Sequence, residues 1–212
     1  MQILSDNTVD TAGVLLNAHA PQVGGSWIKN TVTTGTAGIS SANRIRQLTT
    51  TAPIYYVSNV PAGPDQVMAA DMFIASITTT TGEMGPSLRL DTAADTSYIS
   101  GYRGSTLSWV IAKSVAGKGT ILASAAATLT VGNTYTLTFS IVGSALTLLV
   151  NGVSTVTATD STITAAGRVG VRFGAGAATD TTSYHLTNLS ADDGAMQPNE
   201  YQTRQNFTVY RM

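Results

Sequence analysis

A chain of 212 residues with no cysteine, 11% charged residues and a formal net charge of −1 can bury a sizeable core without covalent staples. The missing cysteines exclude disulfides, Cys–zinc sites and a thiol nucleophile. The balanced charge, with no Lys/Arg cluster, argues against a basic nucleic-acid stripe. No apolar run has the length of a membrane helix, so no membrane partner is expected.

The first residues, MQILSDNTVD, lack a basic start and an apolar stretch, so no signal peptide is expected and synthesis in a cytoplasm follows. Val14-Leu15-Leu16 is the first apolar run. Gly24-Gly25 reads as a turn, and Trp27-Ile28 opens a strand-like piece. Asn43–Leu48 alternates, and Ile54–Val57 is a compact β-former ended by Pro61 and Pro64. Gln66–Ile77 is ambiguous: its Ala and Met residues suit a helix, while its neighbours argue for a long buried strand. Ser87–Leu90, Ser97–Tyr102, Leu107–Ala112 and Thr120–Ala125 are short strands separated by Gly or Asp. Strand and turn signals recurring about every ten residues point to an all-β sandwich or jelly roll.

The clearest pattern runs from Thr134 to Gly176. Tyr135, Leu137, Phe139 and Ile141 alternate with Thr and Ser, the period of a strand with one buried face. Gly143-Ser144 can form a two-residue turn that pairs Val142 with Ala145 and Ile141 with Leu146. Asn151-Gly152 is a strong hairpin signal and pairs Val150 with Val153, which is expected on the same apolar face. Arg168–Phe173 is a further short strand, giving a meander of three or four strands. Thr182–Leu189 closes the domain. From Ser190 the composition changes, which suggests a domain over residues 1–190 and a C-terminal extension over 191–212.

The hairpin LTLLVNGV, the loop ATDSTITAAG and the strand RVGVRFG together resemble the back half of concanavalin A-like lectin/glucanase domains, in particular the laminin-G-like type. The resemblance covers about residues 3–190 and implies an antiparallel jelly-roll sandwich of two curved sheets. A small, Thr/Ala/Gly-rich, cysteine-free chain of this kind is also similar to bacteriophage virion proteins. That implies a non-enzymatic structural protein of the virion: a capsid decoration, fibre or tail-associated surface protein. Its partners would be other virion proteins and copies of itself. The alternative is a carbohydrate-binding module for host-surface or environmental glycans.

The residues weigh against catalysis. Glucanases of this superfamily place two carboxylates close together on one strand, as retaining hydrolysis requires; here Glu83 and Glu200 are the only glutamates. His19 and His185 have no nucleophile signature beside them and are expected to be structural. Asp91, Asp95, Asp160 and Asp180 lie in loops and could serve Ca²⁺, as in many lectin-like domains, although a loop Asp more often caps its own backbone. Tyr98 and Tyr102, flanking Ser100-Gly101, are candidates for a sugar-stacking patch. One of Tyr55 and Tyr56 should face outward, which adds Tyr56. Trp27 and Trp109 are expected in the core. Tyr201, Phe207, Val209 and Tyr210 are spaced to add a strand to an open sheet edge, a docking contact for assembly.

Overall fold

The computed structural model describes residues 1–174 and 176–193. The docking contact expected at Tyr201, Phe207, Val209 and Tyr210 lies outside the described residues. Among the described residues, fifteen strands follow one another: β1 Gln2–Asp6, β2 Trp27–Lys29, β3 Ala37–Ile39, β4 Ile45–Gln47, β5 Ile54–Val57, β6 Gln66–Ile74, β7 Glu83–Leu90, β8 Ser97–Arg103, β9 Ser108–Val115, β10 Lys118–Ala126, β11 Thr134–Val142, β12 Ala145–Val150, β13 Val153–Thr159, β14 Arg168–Arg172 and β15 Tyr184–Asp193. They form two antiparallel sheets. One has the order β13-β12-β11-β6-β15-β4-β3, with β1 also on β15; the other has the order β10-β9-β8-β7-β14-β5-β2. This is the all-β antiparallel sandwich expected from the sequence.

The ambiguous Gln66–Ile77 stretch is a strand. Met68, Ala70, Met72 and Ile74 alternate into the core, and β6 is paired along its length by β11 on one side and β15 on the other. Such two-sided pairing, broken only by a bulge in β15 opposite Ala70, satisfies most backbone donors and acceptors of a long apolar segment, and it overrides the helix propensity of Ala and Met. The core lies between the sheets. Phe139, Leu148, Met72 and Tyr184 from one sheet are buried in a single cluster with Tyr55, Tyr98, Trp109 and Phe173 from the other. Each large apolar side chain buried this way contributes about 1.5–3 kcal/mol.

Both hairpin turns hold. Val142 pairs with Ala145 and Ile141 with Leu146, across a turn in which Gly143 has φ 58°. Asn151 and Gly152 take φ 51° and 79°, the paired positive values of a type I′ turn, and Val150 meets Val153. Two expectations need correction. Val153 is 67% exposed: it lies at the open end of the edge strand, and an irregularity opposite Leu148/Leu149 re-phases β13 so that Val156 enters the core instead. β14 does not extend the meander either. It crosses to the other sheet and lies between β7 and β5, leaving β6 as the fourth strand beside β11. β15 continues past residue 190 to Asp193, with Ala191 fully buried.

This topology gathers several chain segments at one end of the sandwich. There β7 ends at Leu90, β8 begins at Ser97, β9 ends at Val115 and β14 begins at Arg168.

Candidate functional site

The loops leaving that end enclose an open cleft of about 520 Å³, with Leu90, Asp91, Thr96, Val115, Thr164 and Arg168 among its lining residues. Its volume lies within the range of about 300–1,000 Å³ in which small ligands bind.

One wall is the 91–96 loop. The Asp91 backbone N–H donates to Thr96 O at 2.9 Å, and Asp91 Oδ1 accepts from the N–H groups of Ala93 and Ala94 at 2.7 and 3.1 Å. This is the local turn that an Asp builds around its own side chain. From outside the loop, Asn30 Nδ2 donates to Asp91 O at 3.0 Å. Arg172 grips both carboxylate oxygens of Asp95, at 2.5 and 3.0 Å.

The second wall, residues 160–167, has no regular structure, and buried polar groups hold it. Arg89 is almost sealed from solvent. Its Nε donates to Pro64 O at 2.8 Å, Nη1 to Ile163 O at 2.7 Å and Nη2 to Gly143 O at 2.7 Å. Its φ of 49° bends the end of β7 so that the guanidinium reaches three separate segments. Gln66 donates to Ala166 O through Nε2 while its Oε1 accepts the Arg89 N–H at 2.8 Å. Asp160 accepts from Lys113 Nζ at 2.6 Å, from the Tyr98 hydroxyl at 2.6 Å and from the Thr162 N–H at 2.8 Å. Burial alone would raise the Asp160 pKa, but these donors outweigh it and hold the carboxyl well below the usual carboxylate range. Burial and the neighbouring carboxylate push the Tyr98 hydroxyl up, so it stays a neutral donor to Asp160 and accepts the Ile163 N–H at 3.1 Å.

Two charged side chains lining the cleft keep unused hydrogen-bonding capacity. Arg168 donates through Nη1 to Ser58 O at 2.6 Å, and its Nε and Nη2 have no partner among the described residues. Asp91 commits only Oδ1, as described above. Both line the same cleft, and Arg168 sits opposite Leu90, the residue before Asp91, in the β14–β7 register. Thr164 adds an exposed hydroxyl, and Val60, Leu90 and Val115 supply apolar surface. Asp91 is the only carboxylate among the described lining residues, so the cleft does not provide the two-carboxylate arrangement of a glycoside hydrolase.

The residues singled out from the sequence fall elsewhere. Tyr98 and Tyr102 are 0% and 1% exposed. The Tyr102 ring packs edge-on against Trp109 and Tyr184, and the Tyr98 ring faces the Arg89 guanidinium. Neither can present a face to a sugar: the pair at Ser100-Gly101 points inward because the odd positions of β8, not the even ones, face away from the core. Tyr56 does face away from the main core, but it packs with Ile54 and Leu90 and is 9% exposed. Trp27 and Trp109 are in the core, as expected.

The four candidate metal ligands do not converge. Asp91 closes its own turn, Asp95 pairs with Arg172, and Asp160 pairs with Lys113. Asp180 takes Arg46 at 2.9 Å and the Ser41 hydroxyl. Among the described residues no group of three or more His, Cys, Asp or Glu side chains is placed to hold a metal ion. Glu83 is tied up by Arg103.

His19 binds two carboxylates and His185 Nε2 donates to the carbonyls of Thr179 and Thr182; both sit in structural networks. The residues that matter most at the cleft, Arg89 and Arg168, carry no motif. Arg168 appeared in the sequence only as a polar position alternating with Val169 and Val171.

No protein-family profile matches the chain, and no curated protein sequence does. Solved structures do. The carbohydrate-binding module CBM66 from Bacillus subtilis superposes with a TM-score of 0.65 at 16% identity, over 79% of this chain and 95% of that one. Domain 4 of AbnA, an extracellular arabinanase from Geobacillus stearothermophilus solved with arabinotriose, gives 0.60 at 11% identity, over 95% and 97%. The receptor-binding domain of botulinum neurotoxin D gives 0.63 at 12% identity; it matches 99% of this chain, which spans about half of that domain. At these identities the likeness is one of fold: two packed antiparallel sheets.

Proposed function

We propose that this chain is a non-catalytic carbohydrate-binding domain, with the cleft at the Leu90–Arg168 end as its binding site. The observation that carries the reading is the cleft itself. It is an open concavity on walls fixed by buried polar side chains, lined by a cation and a carboxylate with unused hydrogen-bonding capacity. Rigid, pre-formed walls are what a weakly held, polyhydroxylated ligand needs, because little ordering entropy remains to be lost on binding. The fold likeness to a carbohydrate-binding module and to an arabinanase domain supports the same reading. The virion reading, with its particle partners, self-association and location, draws no support from these folds. The test is a glycan array probed with the intact chain, followed by calorimetry on each hit. Binding to at least one glycan family is expected, and no binding across the array overturns the proposal.

A further inference from the structure

We infer that the cleft takes a short, uncharged oligosaccharide, with Arg168 and Asp91 gripping adjacent hydroxyls as a donor–acceptor pair. The inference rests on the carbohydrate-binding reading and names the ligand class.

Charge balance selects the class. The open donors of Arg168, Nε and Nη2, would suit a sugar carboxylate. However, Asp91 lines the same cleft, next to the Leu90 that pairs with Arg168, and leaves Oδ2 open. An acidic sugar brought into the cleft would meet that carboxylate and be repelled. Arg89, the other cation in the lining, is spent on three carbonyls and faces Asp65 at 3.8 Å. It therefore adds no free positive charge to tip the balance. A pair of neighbouring hydroxyls satisfies both groups at once, since each hydroxyl both donates and accepts: one accepts from the guanidinium and the other donates to the carboxylate. Thr164 offers a further hydroxyl partner.

Size and surface restrict the length. No aromatic ring is among the described lining residues, so ring stacking along a polymer is replaced by contacts of sugar C–H groups with Val60, Val115 and Leu90. A cavity of about 520 Å³ accommodates a ligand of two or three sugar units, inside the small-ligand range.

The test uses the intact chain and two panels of di- to tetrasaccharides, one neutral and one bearing uronate or sialate groups. Affinity is measured by calorimetry and the site by amide chemical shifts. The expected result is binding from the neutral panel, with shifts at Thr164 and Gly167. Arg168→Ala and Asp91→Asn should each weaken that binding by about tenfold or more, the usual effect of losing a hydrogen bond to a charged group. Asp91→Asn keeps the Oδ1 acceptor for Ala93 and Ala94, and an unchanged melting temperature shows that each variant is folded. Neutral sugars bound with full affinity by both variants would overturn the site assignment while leaving the carbohydrate-binding reading intact. Binding confined to the acidic panel would overturn the ligand class. No binding from either panel, where an array has found none, would overturn both readings.

Discussion

Nε2 of His19 lies 2.9 Å from Asp6 Oδ1, with both side chains almost completely shielded from water, while its Nδ1 lies 2.8 Å from Asp10 Oδ2. Asp6 also accepts the Trp27 indole N–H at 2.6 Å and the Thr8 N–H at 2.7 Å. With a carboxylate at each ring nitrogen, both nitrogens must carry protons, so the ring is an imidazolium. Burial opposes the charge, but the bonds to Asp6 and Asp10 outweigh it and raise the His19 pKa. A raised pKa means the folded state binds the proton more tightly than the unfolded one. The resulting stabilisation is fully present below the ordinary histidine value, about 6.5, and is lost as pH rises through the folded-state pKa. Denaturant midpoints should therefore fall on moving from pH 6 towards pH 9. In His19→Gln that slope should flatten, with a cost at pH 6 of about 3 kcal/mol for leaving Asp6 buried without its cation. A variant as stable as the parent at pH 6 would show that the pair is not a brace.

Asp160 gives the opposite sign. Its depressed carboxyl pKa adds stability above the ordinary carboxylate range, and that stability is lost only as pH falls through the folded-state value. Asp160→Asn should cost about 1–3 kcal/mol at pH 7, since Lys113 and Tyr98 lose their charged acceptor. In urea melts the gap to the parent should narrow on acidification below about pH 4, where the unfolded chain's carboxyl begins to take up a proton that the folded one still refuses.

Tyr102→Ala distinguishes a core ring from a binding ring. With Tyr102 wedged between Trp109 and Tyr184 and its hydroxyl donating to Ala127 O at 3.0 Å, truncation should cost about 3–5 kcal/mol. Circular dichroism melts would record this directly. A folded variant of parental stability would contradict the packing.

Two glycines should respond very differently to alanine. A Cβ on Gly170 would sit 2.0 Å from Tyr55 O, where β14 presses against β5, whereas a Cβ on Gly152 meets nothing within 4 Å. Gly170→Ala must push two strands apart and should cost about 3 kcal/mol or prevent folding. Gly152→Ala bears only the left-handed backbone penalty of about 1–2 kcal/mol. Comparing their chemical denaturation midpoints tests the sheet register in one experiment.

Local chemistry made the fold legible in the sequence. The Gly143-Ser144 and Asn151-Gly152 turns, with the alternation of Tyr135 to Ile141, encode a hairpin register within twenty residues, so no distant contact was needed to read it. What failed depended on distance along the chain. β14 pairs with strands about 80 and about 115 residues earlier, and nothing in RVGVR names those partners. The orientation of Tyr98 and Tyr102 failed for the same reason: period two shows that they share a face, but only the opposing sheet decides which face is inside. The cleft was illegible because its making is spread over Gln66, Arg89, Asp91, Asp160 and Arg168, none within a recognisable motif. Asp160 was noticed, but for a metal rather than for its part in holding a wall.

The position of β15 has a consequence for biosynthesis. This strand fills the seam between β6 on one side and β1 and β4 on the other, yet it leaves the ribosome after every other described strand. Until it arrives, β6 presents a bare row of backbone donors and acceptors beside an apolar face, the kind of edge that recruits foreign strands. The nascent chain therefore cannot close this sheet until residues 184–193 have emerged. Its folding yield should depend on how quickly those residues are supplied.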